Sequence, residues 1–170
     1  MPVKVAESPY PLIDADPHAF RVVRFMRPSD YAVLAGGTAA APGILYAMER
    51  IDPSRGPMRP ALKLAGLLGF VGGFLLGYQR STFRFWGWTE NAREQAKDLA
   101  ELTQRAKEGK PLYGQSDLEP YLQGVAYRNS AFSQLKLSSM PWFNLVNHPH
   151  HGTDPAKYGV KSESNASESS

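Results

Sequence analysis

The chain has 170 residues, no cysteine and a formal net charge of +3. The missing cysteine excludes disulfides, thiolate metal sites and cysteine nucleophiles. The mild positive charge, with no basic run to track phosphates, gives no sign of a nucleic-acid partner and suits contact with anionic lipid headgroups. Averages of 42% hydrophobic and 21% charged residues and a mean hydropathy of −0.37 look soluble, yet the apolar residues concentrate between positions 31 and 78.

Residues 1–30 read as an extended arm broken by Pro2, Pro9 and Pro11. Glu7, Asp14 and Asp16 make its start unlike an arginine-rich presequence, and no apolar stretch resembles a signal peptide, so any targeting information is expected to be internal. Within the arm, Phe20 to Arg27 alternates apolar and basic character. As a helix it would place Phe20, Val23 and Arg27 on one face and Arg21 and Arg24 on another. The pattern fits a short helix on a membrane surface with its arginines reaching phosphates, and equally a surface strand or turn.

Pro28, Ser29 and Asp30 form a helix-start signal, with Ser29 or Asp30 expected as the cap. Tyr31 to Met48 then runs without a charge. At ~1.5 Å per residue such a run spans roughly 27 Å, near the ~30 Å thickness of the bilayer hydrocarbon. Pro42 lies inside this run, where a membrane helix tolerates it as a kink. Residues 49–60 are polar and proline-broken, and a second apolar block follows at 61–78, with Lys63 near its edge. Two matched spans joined by a short polar turn predict a transmembrane helical hairpin over 31–78. The chain outside is too polar to wrap two such helices in water.

Arg80, Phe83, Arg84, Phe85, Trp86 and Trp88 follow directly. Arginine and indole at the end of an apolar helix suit the headgroup layer, so Arg80, Arg84, Trp86 and Trp88, joined by Arg27, are expected lipid-headgroup anchors. Over 79–109 this interfacial segment leads into an amphipathic helix at 89–108, capped by Thr89 or Asn91 and ended by Gly109 and Pro111. Its apolar stripe, Ala92, Ala96, Leu99, Leu102 and Ala106, is narrow and expected to lie on a partner or the membrane edge. Residues 110–159 hold many aromatics without a clear period, apart from a candidate helix at 118–135. Tyr121, Tyr127, Phe132, Trp142 and Phe143 are expected to anchor this strap on a partner, since they share no evident core. Residues 160–170, rich in serine and glutamate, are expected to be disordered.

Chemistry-bearing clusters are scarce. His148, His150 and His151, with Asp154 nearby, are the only metal-like group, but their spacing lacks a helical i,i+4 pair, and the expected reading is surface-loop histidines. No ionisable residue sits at the centre of either span, which argues against an ion or proton path within them. The glycines carry no phosphate-loop motif. Ala65, Gly69, Gly73 and Gly77 instead repeat every four residues on one helical stripe, and Ala32, Gly36 and Ala40 (or the offset set Ala39, Gly43 and Ala47) offer a similar stripe on the first span. Small residues at that spacing let helices approach closely in a membrane. No catalytic, cofactor-binding or metal-ligating residue emerges.

Tyr10-Pro-Leu-Ile-Asp-Ala-Asp-Pro-His18, Arg21-Val-Val-Arg24, Arg27-Pro-Ser-Asp-Tyr31 and Arg80-Ser-Thr-Phe-Arg-Phe-Trp-Gly-Trp88 together resemble the fungal 21 kDa accessory subunits of mitochondrial complex I, the NADH:ubiquinone oxidoreductase. The resemblance covers the arm, both spans and the following helix, and extends toward Pro141 and Trp142. It implies an inner-membrane subunit of the membrane arm, packed on the core proton-pumping subunits among the other complex I membrane-arm subunits. It also implies no bound redox cofactor and no direct part in quinone chemistry. The residues themselves lead to the expectation of an all-α membrane protein that also meets inner-membrane phospholipids, with cardiolipin one candidate. The competing class is a free-standing assembly factor or lipid-binding adaptor, which should be stable alone where a structural subunit needs its partners. Orientation follows from charge: Arg21, Arg24, Arg27, Arg80, Arg84, Arg93 and Lys97 flank the outer ends of the spans, against Arg50, Arg55, Arg59 and Lys63 at the turn. Seven against four favours both termini on the matrix side.

Overall fold

A helix begins at Pro28 because proline at the first helical position loses only an N–H that had no partner anyway. In the computed structural model, which describes residues 8–53, 56–132 and 143–159, this helix runs over Pro28–Ile51. Asp30 is not its cap. Arg27 holds that position, and the Asp30 carboxylate, one turn in, accepts from the Arg27 N–H at 2.8 Å. In chain order the elements are α1 (Ala19–Arg24), α2 (Pro28–Ile51), α3 (Met58–Phe85), α4 (Ala92–Lys107), α5 (Pro120–Ser130) and a 3-10 turn at Pro155–Tyr158. No strand occurs among the described residues, only one isolated parallel bridge between His18 and Asn144. Leu135, Leu137, Met140, Trp142 and the tail at 160–170 lie outside the described residues.

α2 and α3 are both long and apolar enough to cross a membrane. Each exceeds its sequence-read span, and α3 most of all: its 28 residues carry the helix through the arginine and aromatic segment to Phe85. At ~1.5 Å per residue it measures roughly 42 Å, more than the hydrocarbon layer needs. The residues expected to form a separate interfacial segment are thus its last two turns.

The chain divides into two compact units, residues 22–81 and residues 1–21 with 82–170. In the first, glycines set the packing. A Cβ placed on Gly69 would lie 2.6 Å from the Gly37 carbonyl oxygen, one on Gly73 2.7 Å from that of Leu34, and one on Gly77 3.2 Å from that of Asp30. As numbers rise along α3 they fall along α2, so the two helices run antiparallel, backbone against backbone. Only glycine permits that approach.

The second unit has a mixed core. Ile13, Ala15, Phe85, Trp86, Leu102, Phe132 and Tyr158 are buried together with Asp14, Asp16, Asn91, Glu94, Asp98, His148 and His151. The arm follows the end of α3: the Ile13 and Asp14 N–H groups donate to the Phe85 carbonyl at 2.9 and 3.2 Å, and Tyr10 donates to Gly87 at 3.0 Å. Gly87 turns the chain at φ +73°, and a Cβ there would lie 2.2 Å from the Tyr10 carbonyl oxygen, so no other residue fits.

Two expected helix faces prove different. On α4 the buried residues are Glu94, Asp98 and Leu102, while Ala92, Ala96 and Leu99 of the alanine stripe are exposed. Cations beneath the helix reverse the usual preference, as the pairs described below show. On α1 the buried side chains are Ala19 and Val22, joined by Phe25 just beyond its end, and Phe20, expected on the apolar face, is 75% exposed. α4 ends as expected, with Gly109 at φ +64°.

Candidate functional site

The prolines at 9, 11 and 17 keep the arm from coiling, so its backbone groups and carboxylates reach across to other segments. Asp14, fully buried, is the centre of the resulting cluster. Its Oδ1 accepts from the Asp16 N–H at 2.9 Å and from His151 Nδ1 at 2.7 Å, and its Oδ2 accepts from Arg21 Nη1 at 3.1 Å. With both oxygens accepting, Asp14 is an ionised carboxylate. His151 Nε2 donates to the His148 carbonyl at 2.6 Å. The Tyr113 ring stacks on the His151 ring with centroids 3.5 Å apart. Burial alone would raise the Asp14 carboxyl, but His151 and then Arg21 outweigh it and hold it below its ordinary range.

Asp16 makes a second, weaker station. Its Oδ2 accepts from His148 Nε2 at 2.9 Å and lies against the Ser130 hydroxyl. His148 Nδ1 accepts from the His150 N–H at 3.2 Å, which leaves its hydrogen on Nε2. Burial raises Asp16 in spite of these bonds. The third station is Asp98 of α4, held by Arg21 Nη2 and by the Tyr158 hydroxyl, which donates at 2.8 Å. Burial dominates again and pushes Asp98 upward, while burial and the Asp98 charge together push the Tyr158 hydroxyl up. A separate pair joins Arg84 to Glu94 at 3.5 Å, both buried.

Backbone bonds knit the same segments. Ala15 donates to His151 at 2.9 Å, Ala19 to Asn144 at 2.7 Å and Phe132 to Ala15 at 3.3 Å. The Asn144 side chain donates to the Asp16 carbonyl at 3.1 Å, and the Trp86 indole to that of Ala15 at 3.1 Å. Phe132 takes a left-handed φ of +49°, costly for an aromatic residue, and its ring rests 5.3 Å from that of Trp86. Chemically the arrangement is a clamp: it ties the arm, α4 and residues 144–158 together through buried charges whose partners lie within the chain. Among the described residues no three His, Cys, Asp or Glu side chains are grouped to hold a metal ion.

Several sequence expectations change here. His148 and His151 are 3% and 4% exposed, so they are core residues and not surface-loop histidines; only His150 of the three is exposed. Arg84 and Trp86 are 4% and 2% exposed and engaged by Glu94 and Ala15, which removes them as headgroup anchors. Arg80 keeps a half-exposed side chain while pairing with buried Asp30 at 3.1 Å, and Arg27 and Trp88 are half-buried. Arg21, expected to reach phosphates, is bound inside the clamp.

Of the expected partner anchors, Phe132 is buried within the chain, Tyr127 lies half-buried with its ring 5.5 Å from that of His148, and Tyr121 and Phe143 are exposed. Trp142 lies outside the described residues. The described part of the strap therefore has a core, shared with residues 13–21 of the same chain. Of the small-residue positions, Gly69, Gly73 and Gly77 are buried against α2, and Ala65 is half-buried. On α2 the contacts fall on Asp30, Leu34, Gly37, Thr38 and Ala41, whereas Gly36 and Ala40 are exposed, with open space at Gly36.

The halves of the clamp sit at opposite ends of the sequence, so no local pattern marks it. Its one signal is complementary pairing: Asp14 and Asp16 two apart, His148 and His151 three apart.

Residues 7–90 match the family model of the NADH-ubiquinone oxidoreductase complex I, 21 kDa subunit, and residues 99–169 match that of its C-terminal region. The chain is 48% identical over 163 residues to the NADH-ubiquinone oxidoreductase 20.9 kDa subunit of Neurospora crassa, an alignment covering 94% of this chain and 86% of that relative. The chain belongs to the family of the 21 kDa subunit of NADH-ubiquinone oxidoreductase, complex I.

Proposed function

We propose that this chain is a non-catalytic accessory subunit of the membrane arm of complex I in the mitochondrial inner membrane, where it stabilises the assembled enzyme. The observation that carries the reading is the 48% identity to a complex I subunit along nearly the whole chain. The helices α2 and α3 would cross the bilayer as a hairpin, with both termini on the matrix side by the balance of basic residues. The arrangement of charge supports a structural role: Asp14, Asp16 and Asp98 are buried and bonded to Arg21, His148, His151 and Tyr158, which leaves them no face toward a substrate. Exposed Tyr121 and Phe143 are the described anchors for neighbouring subunits, and half-exposed Arg80 remains for phospholipid headgroups.

A second reading has one observation in its favour. The unit built from residues 1–21 and 82–170 closes a core of its own, as a free-standing adaptor would need. Native gel electrophoresis of mild-detergent mitochondrial extracts separates the two. Co-migration with the NADH-oxidising complex, and loss or fragmentation of that complex when the chain is deleted, supports the subunit. Migration as a small species, with the complex intact after deletion, supports the adaptor.

A further inference from the structure

The two sides of α5 differ. Toward the clamp it gives Ser130, whose hydroxyl lies against Asp16, and Tyr127, whose ring rests 5.5 Å from that of His148. Leu118, just ahead of the helix, then Tyr121, Leu122 and Val125 follow the three- and four-residue spacing of a separate helical face. Leu118, Tyr121 and Leu122 are 41%, 73% and 46% exposed, and Val125 is half-buried. Folding of the chain has left this apolar face open. The charges beside it are acidic. Asp117 and Glu119 flank Leu118 in sequence, both are exposed, and neither forms an ion pair with a described residue. Glu119 holds the N-cap position of α5 without a side-chain bond to the helix, so capping does not account for it. Arg128, at the far end of α5, is engaged within the chain and turns its guanidinium toward Gly124. On α4 the signs are reversed: exposed Leu99 shares that helix with exposed Arg93, Lys97 and Lys107.

We propose that this outer face of α5 docks a basic amphipathic helix of a neighbouring protein subunit. The partner lays an apolar stripe on Leu118, Tyr121 and Leu122 and brings lysine or arginine to Asp117 and Glu119. Charge decides the class of partner. Two unpaired carboxylates repel anionic headgroups, so a lipid surface is the wrong neighbour for this patch. A basic protein surface pairs with them, which guides its approach and fixes its register. Spacing decides the shape: side chains three and four residues apart form ridges that seat between those of another helix. Tyr121 is the central anchor, because a tyrosine contributes most where a partner closes around it. The inference rests on the reading of the chain as a complex I subunit and deepens it, by giving the chemistry of one surface that meets this chain.

The test places the photocross-linking residue p-benzoylphenylalanine at position 121 of the full chain, expressed in mitochondria in place of the native protein. After illumination, native gels show whether the chain migrates with the NADH-oxidising complex, and mass spectrometry maps the adducts. The expected result is one adduct to another subunit, on a peptide that carries lysine or arginine beside apolar residues. Its yield should fall severalfold in Asp117→Lys/Glu119→Lys, a change of two exposed side chains that leaves the core alone, and stay unchanged in Lys107→Glu on α4. An adduct to phospholipid would mean that the patch meets the membrane, and one within the chain that the chain covers it; either overturns the proposal. A partner adduct whose yield ignores the charge reversal overturns it as well. No adduct from a chain that migrates with the complex overturns the docking surface and leaves the subunit reading intact. A chain that migrates as a small species overturns both.

Discussion

The two units of this chain are held together by opposite means. In residues 22–81 the contact is backbone on backbone: Gly69, Gly73 and Gly77 bring α3 so near α2 that no side chain fits between. In residues 1–21 and 82–170 the contact is charge on charge, with Asp14, Arg21, Asp98 and His151 buried in one network. Each means suits its surroundings. A lipid solvent offers helices no hydrophobic reason to associate, so close packing must do it. A polar arm of some twenty residues has too little apolar side chain to build a core, and paired charges fill that role. Size and hydrophobicity should therefore decide the effect of substitutions in the first unit, and charge balance in the second.

The largest effect is expected from Asp14→Ala. It leaves Arg21 and His151 buried without their shared carboxylate, and removing one partner of a buried pair typically costs about 3–5 kcal/mol. Thermal melting of the purified chain in detergent measures it. Gly73→Leu should come next, at about 1–3 kcal/mol, because its side chain must displace the Leu34 backbone. The groove that Gly73 lines is filled by the chain's own α2, so this change should separate two helices of one chain before it disturbs any neighbour; cysteine cross-linking between α2 and α3 would report the separation. Tyr158→Phe removes one bond to a buried carboxylate that keeps Arg21, and should cost about 1–2 kcal/mol. Glu101→Gln, which alters the surface i,i+4 pair with Arg105 at 3.9 Å, should change stability by only ~0.3 kcal/mol.

Acidity sharpens the comparison further. The Asp14 carboxyl is held below its ordinary value, so its ionised form contributes stability that is present above the ordinary range, near ~3.9, and is lost as pH falls through the lowered value. Asp98 is raised, so its ionisation works against folding once pH rises through that raised value. Asp14→Asn should therefore lower the melting temperature at every pH above ~4 and converge on the wild type only below it, whereas Asp98→Asn should cost less at neutral pH. Melting curves for both variants from strong acid to neutral pH would check this. Equal losses for the two at neutral pH would mean that their different surroundings do not matter.

What the sequence reveals follows the same division. The spans are legible because eighteen-residue apolar runs with at most one charge have few other uses, and the glycine stripe because its four-residue spacing is regular. The matching face of α2 is not, since small residues cover adjacent faces: Gly36 and Ala40 point away, while neighbouring Gly37 and Ala41 meet α3. The charged unit is harder still. Periodicity searches look for apolar residues, so on α4 they select the exposed alanines over Glu94 and Asp98. A buried carboxylate becomes legible only when its partner is known, and here Arg21 lies 77 positions from Asp98 and His151 lies 137 from Asp14. The same distance hid the core of the strap. Its aromatics look partnerless because their partner is the N-terminal arm.

That mutual dependence of arm and strap is most directly tested by hydrogen exchange on the full-length chain, comparing the wild type with Asp14→Ala/Asp16→Ala. Residues 143–158 and 13–21 should be protected together in the wild type and lose protection together in the double variant, while residues 58–80 of α3 stay as they were. A strap that keeps its protection in the variant, or that lacks protection in the wild-type chain, would contradict the account.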